Sequence, residues 1–371
     1  MMSNYTLYGT EFSLYTGKAR TYLNYKNIPF DEVLSTLKVY KDIIVPHTGV
    51  KFIPVVKTPD GEYLQDTTNI IDQLEMQFTD KPVYPTTPKQ RLVSLLLELY
   101  GDEWLLIPAM YYRWNNPDLS FTYREFGRVI SPKLPGFIRG MMGKKVGDRF
   151  KGMTKVLGIT EKTIPAIKQW FEQQFLVDLD KHFQQHEFLL GGAPCVADFA
   201  FYGPLFVHFY REPNSCDILQ QIAPNVITWI ERMHNASSCE GEWLADDEVP
   251  ETLYPILNNL FENQWPVLEH TANQLAEWYE RETNGIEISE PIKVPRKLGT
   301  HEFTINGVEE QRGVLPQVQW MMQRSLNLYH SLTAKEKKEI EPFLKQINAL
   351  YAMRFNLEHQ VLRVDNRFVI R

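Results

Sequence analysis

The chain has 371 residues, 43% hydrophobic and 23% charged, with a net charge of −7. That length predicts two or three domains, and the acidic balance excludes a nucleic-acid footprint spread over the whole surface. No apolar run reaches membrane-spanning length, the N-terminus lacks a signal-peptide pattern, and Cys195, Cys216 and Cys239 show no C-x-x-C spacing, so a disulfide framework, a metal site and a membrane span are not expected and a cytoplasmic setting is the default.

In chain order, residues 5–8 read as a strand and 14–26 as a helix that stops near Asn27-Ile28-Pro29. Residues 30–34 predict a second strand and 38–45 a short helix. The run 52–58 predicts a strand carrying Pro54, and the turn Pro59-Asp60-Gly61 makes "EYL" its hairpin partner. An amphipathic helix over 66–78 opens with good capping residues. The order β-α-β-α-β-β-α is that of one α/β domain, residues 1–80. A proline-bearing linker follows.

From Gln90 helical periodicity takes over, and residues 88–245 predict an all-helical domain. Residues 90–114 read as one long helix or a broken pair kinked at Pro108, with further helices at 162–186, 196–210 and 225–234. The segment 115–160 stands apart: from Arg124 to Lys155, nine Lys/Arg face two Asp/Glu among several glycines. It reads as a solvated connecting excursion, or else as a lid or a contact for an anionic surface. "GMMGKK" lacks the G-x-x-x-x-G-K-[ST] spacing and is not a phosphate loop. Residues 250–371 predict helices at 251–282, 315–331 and 334–350, a hairpin at Asn306-Gly307 and a C-terminal strand in "VLRVDNRFVIR". Too few strands for a sheet core of its own predict that this extension docks on the helical domain.

The stretch "FSLYTGKAR" (12–20) raises the question of chemistry. Ser13 and Thr16 stand at a strand-to-helix junction with S-x-x-T spacing, where redox proteins place C-x-x-C. From the residues alone, Ser13 is either a plain helix cap or a hydroxyl offered to a ligand. Tyr15 and Tyr8 are the competing phenols. Asp102-Glu103 is an acidic pair, but adjacent helix positions do not share a face.

Four stretches, in order, resemble the cytosolic glutathione transferase superfamily. "LYGTEFSLYTGKARTYLNYKNIPFD" looks like its first strand, catalytic loop and first helix. "VKFIPVVKTPDGEYLQDTTNIIDQLE" looks like its glutathione-binding half, a proline-containing linker follows, and "GGAPCVADFAFYGPL" matches a G-x-x-S/T-x-x-D helix-start box with Asp198 as the aspartate. The resemblance covers about residues 4–245. It implies a thioredoxin-like α/β domain, an all-α domain with a basic insertion, and a mainly α C-terminal extension. Cys195 stands where the box has Ser or Thr, and Leu14 where many members have proline.

The resemblance also implies roles. Ser13 falls on the catalytic Ser/Cys position, with Tyr15 as its rival. Ile53-Pro54 falls on the cis-proline, whose neighbour pairs with a peptide ligand as in strand addition. Asp66 and Thr67 fall on the pair that holds the γ-glutamyl group, Lys51 is a candidate for the glycyl carboxylate, and Arg20 is the usual helix arginine. Tyr111, Tyr112 and Trp114 are candidates for the hydrophobic substrate, with helix packing as the alternative. The implied activity is a glutathione S-transferase serving detoxification, with glutathione as co-substrate, a small electrophile as partner, and a homodimer as a candidate assembly. A non-catalytic scaffold and a glutathione-dependent peroxidase are the alternatives. A mixed-disulfide reductase is disfavoured, because it wants a cysteine where Ser13 stands.

Overall fold

The structure, a computed structural model, describes residues 4–130, 132–284, 286 and 290–370; Arg371, the last residue of the expected C-terminal strand, lies outside them. Strands β1 (Tyr5–Gly9), β2 (Phe30–Leu34), β3 (Val55–Lys57) and β4 (Tyr63–Gln65) form one sheet in the order β2-β1-β3-β4. The β1–β2 pair is parallel and the other two pairs are antiparallel. The parallel pair needs a crossover, and the Leu14–Tyr25 helix supplies it. That helix buries Ala19, Tyr22 and Leu23, and its tyrosines Tyr22 and Tyr25 meet the ring of Phe199 at 5.8 and 5.6 Å. With the Thr67–Glu75 helix this completes a thioredoxin-like domain, and the remainder is mostly helical.

The long helix begun at Pro88 is broken, but not at Pro108. It runs as Pro88–Leu99, a π-turn Tyr100–Trp104, and Leu106–Trp114. Pro108 sits in the first turn after the break, where a missing N–H costs least. The segment read as an excursion is instead a helical hairpin, Ser120–Ile130 against Gly136–Lys151. Its glycines are close-approach positions, not loop formers. A Cβ on Gly127 would lie 2.1 Å from the Arg139 carbonyl oxygen, and one on Gly143 would lie 1.9 Å from that of Tyr123. A further helix that periodicity did not reveal, Pro213–Ile222, starts with proline at its first position.

After residue 250 come helices Tyr254–Asn259 and Trp265–Thr283, joined by a π-turn, then Val318–Ser331 and Ala334–Gln346. The Asn306-Gly307 turn joins β6 (Thr300–Ile305) to β7 (Val308–Gly313), and both turn residues are left-handed. The expected C-terminal strand is a hairpin, β8 (Val361–Val364) and β9 (Arg367–Ile370), with β9 also paired to β5 (Ile292–Lys293). Asp365 and Asn366 turn it at φ 48° and 59°, a conformation that short polar side chains tolerate. These elements rest on the preceding ones: Tyr100 donates to Asn259 at 2.8 Å, and Arg324 Nη1 meets Asp72 at 2.5 Å.

One buried charge ties the pieces together. Lys18, 1% exposed, places Nζ 2.8 Å from Glu98 and 2.6 Å from Asp102. Glu98 also accepts from Thr68 Oγ1 at 3.0 Å and lies 3.7 Å from Arg324. Burial works against the Lys18 charge, but Asp102 and Glu98 outweigh it and raise its pKa. Next in the π-turn, burial pushes Glu103 up to about 8, with Asp102 adding to the effect and Arg312 opposing it.

Two expectations follow from these charges. Lys18→Met leaves two buried carboxylates without their cation and is expected to cost about 3–5 kcal/mol of unfolding free energy. Urea denaturation reads this, and adding Glu98→Gln and Asp102→Asn should return much of the loss. Glu103 binds its proton more tightly folded than unfolded, so its contribution is present below the unfolded pKa and is lost as pH rises toward about 8. Glu103→Gln, neutral throughout, should therefore gain on the parent as pH climbs from about 4.5 to about 8 and hold that gain above. A stability difference that ignores pH over this range would show that Glu103 titrates as an ordinary carboxylate.

Candidate functional site

The sheet register gathers three loops at one edge. Tyr8 lies opposite Val55, and Val55 opposite Gln65. The loop after β1, the Ile53-Pro54 entry to β3 and Asp66 after β4 are thereby neighbours. The Ile53-Pro54 peptide is cis. Among the described residues, neither the N–H nor the C=O of Ile53 has a hydrogen-bond partner. Pro54 is buried, Ile53 half-buried and Lys51 exposed.

Ser13 is the N-cap of the Leu14–Tyr25 helix, with Oγ accepting the Thr16 N–H at 3.3 Å. Among the described residues nothing accepts the Ser13 hydroxyl proton, and the side chain is half-buried. Its loop is held from the helical side by Arg113. That guanidinium stacks 3.8 Å over the Phe12 ring, donates to the Phe12 carbonyl at 3.2 Å and to that of Val207 at 3.1 Å, and pairs with Glu212 at 2.9 Å. Arg113 therefore acts as a positioning residue for the loop that carries Ser13.

Tyr15 is differently placed from its rival. Its hydroxyl donates to the Asp102 carbonyl at 3.1 Å. Burial, then Glu103, Asp102 and Asp66, hold it well above the ordinary phenol range. Tyr8 is a buried strand residue stacked on Tyr63 at 6.3 Å. Arg20 forms a two-pronged salt bridge with Glu32 at 2.7 and 2.6 Å.

Asp66, at φ 80°, caps the Thr67–Glu75 helix by accepting from the N–H groups of Thr68 and Asn69 at 3.1 and 3.5 Å. Thr67 is buried beside it. Arg363, from the C-terminal hairpin, donates to Gln65 immediately before Asp66, across 298 residues of sequence. No local pattern marks such a contact, and sequence reasoning missed it.

The aromatic candidates divide. Tyr112 donates to Glu172 and packs its ring on Phe171 and Phe209 at 5.5 and 5.1 Å. Trp114, 1% exposed, packs on Phe126 at 5.6 Å. Both side chains are thus taken up in core packing, Trp114 against the helical hairpin and Tyr112 against Phe171 and Phe209. Tyr111 remains half-buried, edge-on to Tyr112 at 4.7 Å. In the helix-start box, Asp198 accepts from the N–H groups of Cys195 and Leu189 at 2.9 and 3.1 Å and from Trp229 at 3.1 Å. The carboxylate therefore serves the cap where Cys195 replaces a hydroxyl. Among the described residues no group of three or more His, Cys, Asp or Glu is placed to hold a metal ion, and no helix is long and apolar enough to cross a membrane.

Residues 7–82 match the family described as glutathione S-transferase, N-terminal domain. No curated protein matches the chain. Among solved structures it is similar to the beta-etherase LigF from Sphingobium sp. strain SYK-6, at 15% identity and TM-score 0.45, over 63% of this chain and 97% of that one. A Tau class glutathione S-transferase from mango, Mangifera indica, gives 20% identity and TM-score 0.40 over 69% and 96%. A glutathione S-transferase from Methylobacillus flagellatus with glutathione bound gives 16% identity and TM-score 0.39 over 63% and 99%. The sheet-edge site accordingly lies in a domain of the glutathione S-transferase superfamily, residues 7–82.

Proposed function

We propose that the chain is a glutathione S-transferase that binds glutathione along the Ile53-Pro54 edge and activates its thiol for attack on a small hydrophobic electrophile. The observation that carries this reading is the Ser13 hydroxyl, its proton unclaimed among the described residues, at the head of a helix and beside an unpaired backbone segment. In this reading residues 1–80 bind glutathione, 88–245 receive the second substrate, and 250–371 are an extension docked on the helical part.

The chemistry sets a quantitative demand. A free thiol titrates near ~8.5, and lowering it by about two units needs roughly 2.7 kcal/mol of extra stabilisation of the thiolate. A hydrogen bond to an ion contributes ~1.5–3 kcal/mol, and a helix N-terminus up to ~1 kcal/mol. Ser13 supplies the first and its helix the second. Ile53 N–H and C=O pair with the ligand backbone, Asp66 takes the ammonium, Thr67 faces the adjoining carboxylate and Lys51 the distal one. The ionised sulfur then attacks the electrophile, the new carbon–sulfur bond forming as the leaving group departs with its electron pair. The free cysteines fit a cytoplasmic detoxifying enzyme; a homodimer is its expected assembly.

A non-catalytic scaffold is the second reading. The burial of Tyr112 and Trp114 favours it, since it removes two of the three aromatics expected to receive a hydrophobic substrate.

Ser13→Ala is expected to raise the apparent pKa of bound glutathione by about one to two units, with affinity little changed. Conjugation of a model aryl halide should fall about tenfold or more near neutral pH and recover as pH rises. Tyr15→Phe should leave the pH profile in place, because the Tyr15 proton is held by the Asp102 carbonyl. A profile that moves with Tyr15→Phe and not with Ser13→Ala would assign the thiolate donor to Tyr15. No conjugation by the parent, despite saturable glutathione binding, would support the scaffold.

A further inference from the structure

The C-terminal hairpin is built onto the candidate site, not beside it. Gln323 anchors β8 in both directions: its Nε2 donates to the Val361 carbonyl at 2.6 Å and its Oε1 accepts the Val361 N–H at 3.0 Å. Gln323 belongs to the same helix as Arg324, which pairs with Asp72 of the Thr67–Glu75 helix. From this footing the extension reaches the chain on both sides of the cis-proline and the end of β4. Asn366 Nδ2 donates to the Thr48 carbonyl at 3.1 Å, Arg363 donates to Gln65, and Arg296, three residues after β5, the sheet partner of β9, lies 4.1 Å over the Phe52 ring. Arg363 is also held by Asn366 Oδ1 at 3.2 Å, which fixes the guanidinium instead of letting it sweep through solvent.

Charge gives this placement a consequence. The loops themselves offer a ligand one exposed cation, Lys51, against Glu11 and Asp66. Glutathione carries two carboxylates and one ammonium, and a thiolate adds a further negative charge. Asp66 satisfies the ammonium, so the carboxylate on the same carbon needs a cation within reach of Asp66. Arg363 stands there: it bonds the residue preceding Asp66, and Asp66 acts electrostatically on it against the effect of burial. Both bonds leave from Nη2, so among the described residues Nη1 and Nε keep their N–H groups for single charge-assisted hydrogen bonds to an anion.

We propose that Arg363 completes the ligand site from the C-terminal extension, binding the α-carboxylate at the γ-glutamyl end of the bound thiol peptide. The inference rests on the glutathione reading above. It makes the extension part of the substrate-recognition surface: the N-terminal domain holds the peptide backbone and sulfur, and the extension reads the amino-acid head.

The test is calorimetric titration of the full chain with two ligands, glutathione and its analogue in which 4-aminobutanoate replaces the γ-glutamyl residue, so that only the α-carboxylate is lost. The parent should bind glutathione about tenfold or more tighter than the analogue. Arg363→Gln should weaken glutathione by that factor and leave the analogue unchanged, collapsing the discrimination. Arg363→Lys should recover part of it and, because it retains the charge, serves as the comparison if Arg363→Gln lowers thermal stability. Equal weakening of both ligands would make Arg363 a structural residue and overturn the proposal. Tighter glutathione binding in Arg363→Gln would make the hairpin an obstruction and overturn it as well. No change on substitution overturns it while the glutathione reading stands, whereas absence of glutathione binding by the parent at millimolar concentration overturns that reading and this inference with it.

Discussion

The Lys18 ammonium, held between Glu98 and Asp102 out of contact with water, is the constraint on which the rest of the molecule depends. Its helix begins at Ser13, and its partners sit on the first long helix of the helical region and on the π-turn that breaks it. Shifting either side would strand a buried charge, at a cost of several kcal/mol. The pairing therefore sets the depth and rotation at which the Leu14–Tyr25 helix meets the helical region. Tyr15, one turn earlier on the same helix, is captured by the Asp102 carbonyl as a result. Glu98 carries the constraint onward through Thr68 and Arg324 to the second helix of the thioredoxin-like domain and to the C-terminal extension.

This solution concentrates negative charge next to the place where a thiolate would form. Asp66, Asp102 and Glu103 all act on the Tyr15 phenol, and an anionic sulfur would feel the same field. Two features counter it. Burial keeps Glu103 protonated near neutral pH, since its carboxyl is pushed up to about 8. The extension brings Arg312 toward Glu103 and Arg363 toward Asp66. Arg312 is buried, with Nε and Nη1 lacking acceptors among the described residues, and lies 5.6 Å over the Trp104 ring and 5.4 Å over that of Phe303. The extension thus places one arginine facing the acidic π-turn and another facing Asp66.

What was readable in the sequence was what short segments decide for themselves. The Ser13 cap, the Pro59-Asp60-Gly61 turn, the start of the helix at Asp66 and the Asn306-Gly307 hairpin each depend on residues a few positions apart, and each is present. The errors came where tertiary packing reassigned a local signal. Gly127 and Gly143 carry the composition of a loop but serve a tight helix–helix approach. Pro108 looks like a kink, but the π-turn before it had already taken up the break. Asp365-Asn366 turns a hairpin without the glycine that announces one. At the site, the Ser13 and Asp66 caps were legible because their geometry is local, whereas the cis Ile53-Pro54 peptide was expected from the family resemblance. The partners that distinguish them were not: the Tyr15 bond spans 87 residues and the Arg363 bond 298.

The central claim, that this sheet edge ionises a bound thiol, is tested most directly by the ultraviolet absorbance of the thiolate in the complex of the full chain with glutathione, followed as pH is lowered. The account predicts a thiolate signal that persists through neutrality, with an apparent pKa about two units below the ~8.5 of the free thiol. A bound thiol that titrates where free glutathione does would contradict it.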